Sequence, residues 1–264
     1  FALKYDGTNL AILASLFQAA PQKELLAYFK SKPLGKYARR LWFLYELLTG
    51  KVLPLDDLTQ GNYIELLEPE EYFTLGKIRQ VRRQRINDNL LGDRLFCPTI
   101  RRTETLRNFE RAELTKRCKQ VVSAYPPALL KRALSYLYTK ETKSSFEIEH
   151  LKPDSSRTER FAALLQLAEH EDFCDKAHLV DLQNRIVDPR FREPEYRSGQ
   201  NYVGETVAWQ KERVHFAGPK PKDLPDLMTG LLAAHRRMDE GGVSPVAHAA
   251  AVAYGFVFLH PFED

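Results

Sequence analysis

The run Val246–Leu259, VAHAAAVAYGFVFL, contains no charged residue. A helix apolar on every side belongs in the middle of a domain with neighbours packed all round it, and that is the expectation here. Ser244 suits the N-cap, and Pro245 suits the first helical position, where a missing N–H costs the helix nothing. The run is too short and too alanine-rich to span a bilayer, which takes roughly 20 residues. It is the expected spine of its domain, and His260-Pro261 closes it.

Helical periodicity runs through most of the remaining chain. Ala11–Phe29 reads as two short amphipathic helices broken near Pro21. Tyr37–Leu48 is a helix with Leu41, Phe43, Leu44, Leu47 and Leu48 as its core side, and Gly50 stops it. Residues 51–103 are punctuated by Pro54, Gly61, Gly76, Gly92 and Pro98 and read as irregular with a small hairpin. Helices are then expected at Asn108–Ala124, at Ala128–Lys143 behind Pro126-Pro127, at Arg157–Glu171, at Ala177–Val187 and at Leu224–Met238. Between the last two, Asn201–Glu205 and Glu212–Phe216 read as the strands of a β-hairpin. In the second strand Val214 and Phe216 alternate with Arg213 and His215, the pattern of a half-buried strand.

Composition excludes several classes. With 44% hydrophobic and 28% charged residues over 264 positions, the chain is neither disordered nor fibrous. Cys97, Cys118 and Cys174 are odd in number and form no CxxC pair, which argues against a disulfide framework or a structural zinc and for a reducing compartment. No apolar stretch reaches membrane-span length and no signal peptide opens the sequence, so a cytoplasmic protein is expected. The first residue, Phe1, points to a trimmed N-terminus. A net charge of +4 is too mild to indicate nucleic acid. The basic cluster Lys77, Arg79, Arg82, Arg83, Arg85, Arg94, Arg101 and Arg102 has acids nearby, and a solvated, ion-paired face is its simpler reading.

The chemistry gathers at His260-Pro261-Phe262-Glu263-Asp264. In one reading the histidine satisfies free carbonyls at a helix end and the proline stops the helix. In the other, an imidazole on a rigid element serves as a general base, a role worth about 10²- to 10⁴-fold in rate, with a carboxylate four residues on suited to Mg²⁺.

HPFED at the end of an apolar helix resembles the opening of the Fic-family signature HPFx(D/E)GNGRxxR. The resemblance covers five positions, His260 to Asp264, and the glycine-rich half that cradles nucleotide phosphates is expected to follow. Thr142–His150, TKSSFEIEH, is similar to the family's inhibitory motif (S/T)xxxE(G/N), with Ser145 and Glu149 at the i,i+4 spacing of one helical face and His150 where Gly or Asn is usual. The hairpin looks like the Fic flap, which holds a target segment by strand addition through Tyr202, Val203, Gly204, Val214, His215 and Phe216.

The resemblance implies a mainly α fold: a Fic-type helical bundle with a β-hairpin flap over residues 105–264, preceded by a helical and irregular extension over 1–104. It implies transfer of AMP from ATP to a Ser, Thr or Tyr hydroxyl of a target protein, or of the protein itself, with Mg²⁺. His260 would be the base, Phe262 the anchor of the loop, Asp264 the metal ligand and Glu149 the inhibitor. A chain ending at Asp264 would bind ATP poorly. Homo-oligomers also fit the resemblance. The alternatives are transfer of UMP, phosphocholine or phosphate on the same scaffold, and a non-enzymatic helical regulator that uses the basic cluster.

Overall fold

The computed structural model of the chain describes residues 2–148, 174–187, 190, 192–208 and 211–263. The described part is mainly α, with small sheets. It divides into two compact units. The first joins Phe1–Thr103 to Gly218–His260, and the second joins Glu104–Ala217 to Pro261–Asp264.

In the first unit, Leu10–Ala19 begins where the Asn9 carboxamide accepts the Ile12 N–H at 3.1 Å, and Pro21 separates it from Gln22–Ser31. Lys36–Thr49 ends at Gly50, whose φ of 68° is the left-handed conformation glycine adopts without steric cost. Phe17 packs edge-on to Tyr45 with ring centroids 5.3 Å apart, and Trp42, Leu44, Leu53, Leu66 and Ile86 complete the buried cluster.

The Lys36–Thr49 helix also buries Arg39 and Arg40, which apolar periodicity does not suggest. Arg39 donates to the Asn62 carbonyl at 2.8 Å, and Arg40 donates to the Glu65 carbonyl and to Glu68. Residues 51–103 contain the small hairpin, β2 (Arg79–Val81) against β3 (Ile86–Asp88), and β1 (Ile64–Glu65) runs parallel beside β3. Much of the basic cluster is structural. Arg83 binds Glu46 and Asp57, Arg79 pairs with Asp88, and Arg102 donates to the Tyr72 carbonyl.

The two C-terminal helices of this unit, Leu224–Glu240 and Pro245–Leu259, belong with the first hundred residues. Arg237 donates to the Leu90 carbonyl at 2.8 Å and pairs with Asp88, while Gly76 N–H donates to the Gly241 carbonyl. Close approach does the rest. A β-carbon on Gly230 would lie 2.8 Å from the Phe96 backbone nitrogen, and one on Gly255 would lie 2.7 Å from the Phe96 ring.

The last helix has the expected bounds but not the expected surroundings. Only Ala251, Gly255 and Leu259 are buried, one line at four-residue spacing, while Val246, Tyr254 and Val257 are 78%, 72% and 68% exposed. One face packs on the preceding helix and on Phe96, and that line of small and apolar residues is what these neighbours cover.

In the second unit, the expected helix from Asn108 is two, Glu104–Arg111 and Leu114–Ser123, separated by Glu113 at a φ of 47°. No glycine or proline marks that break. Pro127–Ile148 comes next, then Lys176–Ile186, capped by Asp175 accepting the His178 N–H at 3.0 Å. The expected helix over 157–171 lies outside the described residues. Strands β4 (Tyr202–Ala208) and β5 (Lys211–Ala217) pair antiparallel as a two-stranded ribbon among the described residues. The half-buried reading of β5 is corrected here: Val214 is exposed, and within β5 only Phe216 is partly covered, because among the described residues the sheet has two strands and a two-stranded ribbon buries little by itself.

Candidate active site

The Pro245–Leu259 helix ends at His260, whose N–H donates to the Phe256 carbonyl at 2.9 Å. His260 has φ 46° and ψ 68°, the left-handed conformation that costs a non-glycine residue about 1–2 kcal/mol. A residue held there persists only where its surroundings determine it, and such residues concentrate at functional sites. The residue is half-buried, at the point where the chain leaves the helix.

The residues after His260 belong to the second unit. Pro261 and Phe262 are buried, and Phe262 meets the Tyr196 ring edge-on at 5.8 Å. Burial, then the charges of Asp175 and Glu195, push the Tyr196 phenol up to about 12, so it stays neutral. Arg197 N–H donates to the Pro261 carbonyl at 2.8 Å, and Gly199 N–H donates to Glu263 Oε1 at 3.0 Å. Glu263 N–H in turn donates to the Glu193 carboxylate at 3.2 Å. Arg197 is itself buried, which draws its guanidinium below its ordinary value against the opposing pull of Glu263.

The hairpin starts three residues past Gly199. Tyr202, Val203 and Val214 are each about half exposed, and Gly204 pairs with Val214. Tyr202 hydroxyl binds Glu212, and His215 faces Glu205 at 3.4 Å. Phe216 is partly covered. Among the described residues each strand pairs with the other and has no second strand beside it, which leaves each an outer edge.

Of the residues expected to act, Ser145 lies on the Pro127–Ile148 helix, whereas Glu149 and Asp264 lie outside the described residues. Among the described residues no three His, Cys, Asp or Glu side chains are grouped to hold a metal ion. Mg²⁺ needs no such cage, since one or two carboxylates and substrate phosphates suffice. Sequence reasoning does not single out Glu193 or Asn184, and it places Arg197 and Gly199 in the stretch before the hairpin and Glu263 in the HPFED match without giving them a role. Only Gly199, a lone glycine among polar residues ahead of a strand, offers a signal.

These features define a class before they define a family: among the described residues, a mainly helical chain with a two-stranded hairpin and an apolar helix closed by a left-handed histidine. Residues 173–264 match the family model of the Fic/DOC family. Comparisons with curated proteins and with solved structures return no match. Fic-domain proteins are commonly transferases. The matched segment contains the hairpin and His260 and begins beyond Ser145 and Glu149.

Proposed function

We propose that this protein is a Fic-type adenylyltransferase that moves AMP from ATP to a serine, threonine or tyrosine hydroxyl of a protein. The family match supports the scaffold, and the observation that carries the reading is His260 in its left-handed turn directly ahead of buried Pro261 and Phe262. In this reading His260 accepts the proton of the incoming hydroxyl. The hydroxyl oxygen then bonds to the α-phosphorus, the α–β anhydride bond breaks, and pyrophosphate leaves. Phe262 anchors the loop. Asp264 would hold Mg²⁺, which when bound neutralises phosphate charge. The hairpin's outer edge takes up an extended target segment by strand addition, a mode that demands register more than sequence. Glu149 holds the reaction in check.

The test is transfer of label from α-³²P-ATP by the full-length protein and by His260→Ala. Label on protein from the wild type and none from the variant supports the reading. Equal labelling removes His260 from the chemistry, and label from UTP or CDP-choline but not from ATP replaces adenylyl transfer with a different group.

A further inference from the structure

Hydrogen bonds donated by backbone N–H groups tie the residues after His260 to the segment 193–199, and those of Pro261 and Glu263 do not use the helix that carries His260. The Pro261 carbonyl accepts the Arg197 N–H at 2.8 Å. The Glu263 carboxylate accepts the Gly199 N–H at 3.0 Å, and the Glu263 N–H reaches back to the Glu193 carboxylate at 3.2 Å. The last two are reciprocal: each segment of the pair offers a carboxylate to the other's backbone donor. This is the logic of a capping box, built between segments about 70 residues apart.

The clamp has its own support. Asn184, on the Lys176–Ile186 helix, donates to the Glu193 carbonyl at 2.7 Å and accepts the Glu193 N–H at 2.9 Å, so Glu193 is held on both backbone groups. Arg197 Nη1 donates to the Gly199 carbonyl at 2.8 Å, a second tie on the residue whose N–H meets Glu263. A β-carbon on Gly199 would sit 2.6 Å from Glu263 Oε1, so any side chain there displaces the Glu263 carboxylate from the Gly199 N–H. Phe262 is 4% exposed, and its contact with Tyr196 closes the same turn from the apolar side.

Building on the proposed function, we infer that Glu263 is a positioning residue for the His260 base. It acts by locking the turn Pro261–Glu263 onto Glu193 and Gly199. His260 is one peptide bond from that turn and holds a backbone conformation that local preference disfavours. A reacting group displaced by about 1 Å can lose about 10²-fold in rate. The side-chain oxygen of Glu263 matters here as a hydrogen-bond acceptor, so glutamine can replace it and alanine cannot.

The experiment compares full-length wild type with Glu263→Ala, Glu263→Gln and Gly199→Ala. It reads amide hydrogen exchange at Gly199 together with steady-state AMP transfer from labelled ATP. Glu263 is exposed, so its substitution leaves the core intact. The expected result is a kcat about 10- to 100-fold lower in Glu263→Ala and Gly199→Ala with KM for ATP within about twofold, which marks a loss confined to the transition state. Glu263→Gln should stay near wild type, and exchange at position 199 should accelerate in both low-activity variants. Wild-type kinetics in Glu263→Ala, or an equal loss in Glu263→Gln, overturns the inference while leaving the proposed function standing. Accelerated exchange in Glu263→Ala with no transfer by the wild type from any nucleotide donor overturns the proposed function, and the positioning role with it, while the clamp remains.

Discussion

His235 Nδ1 and His248 Nε2 lie 2.9 Å apart, joining the last two helices of the first unit with their rings 4.8 Å centre to centre. A single proton bridges two such nitrogens, and a second must break the bond. Burial, and then the neighbouring His235, pull the His248 imidazole below its ordinary value, with Asp239 opposing. The unfolded chain therefore binds more protons than the folded one as pH falls through the ordinary histidine range, and stability drops on acidification. The contribution is complete above the unfolded value and is lost below it. Melting temperature should fall between pH 7.5 and pH 5 by more in the wild type than in His248→Gln. A variant that loses as much as the wild type would contradict this.

Glu46 accepts hydrogen bonds from Trp42 Nε1, Leu53 N–H, Arg83 and Gln84. Burial disfavours its charge, but the bonds from Arg83, Leu53 and Trp42 outweigh burial and hold the carboxyl below its usual range. That stabilisation is present above the unfolded carboxylate value and disappears as pH falls through the depressed folded value. Glu46→Gln keeps the shape and removes the charge. It should lower stability by about 1.5–3 kcal/mol, the weight of hydrogen bonds to a charged group, read from the urea midpoint at pH 7.

Gly230 tests the packing of the Leu224–Glu240 helix on residues 95–96. Alanine would raise helix propensity by about 1 kcal/mol. Its β-carbon would also meet Leu95 Cβ at 2.6 Å and the Phe96 nitrogen at 2.8 Å, and backbone cannot swing aside. Overpacking of this kind costs about 1–3 kcal/mol, so the clash outweighs the propensity gain. Gly230→Ala should melt below the wild type, whereas an unchanged or higher melting temperature would show that the helix can slide.

Glu149→Gly addresses the inhibitory reading separately from catalysis. If Glu149 restrains the reaction, the full-length variant should label itself or its target from ATP at least about tenfold faster than the wild type, an effect of order 1.4 kcal/mol on the productive state. Unchanged or slower labelling would remove Glu149 from regulation and leave the role of His260 untouched.

Local pattern carries the helices and the hairpin. Pro21 and Gly50 announce helix ends through backbone geometry that acts within a few residues, and the structure places ends there. The break at Glu113 has no such local cause and leaves no mark in the sequence. His260, Phe262 and the hairpin are legible because their residue types stand in a recognisable order along the chain.

The chain by itself therefore determined a mainly helical protein with a histidine closing an apolar rod. Only the tertiary structure decided that one line of that rod, Ala251, Gly255 and Leu259, is covered while Tyr254 and Val257 face out. It also decided that residues 218–260 join the first hundred, and that Glu263 grips Gly199. The physical reason is range. Caps and periodicity depend on neighbours three or four positions away, whereas helix covering and the Glu263 clamp depend on backbones brought together across long stretches of chain, where a missing β-carbon at Gly255 or Gly199 matters more than any local preference.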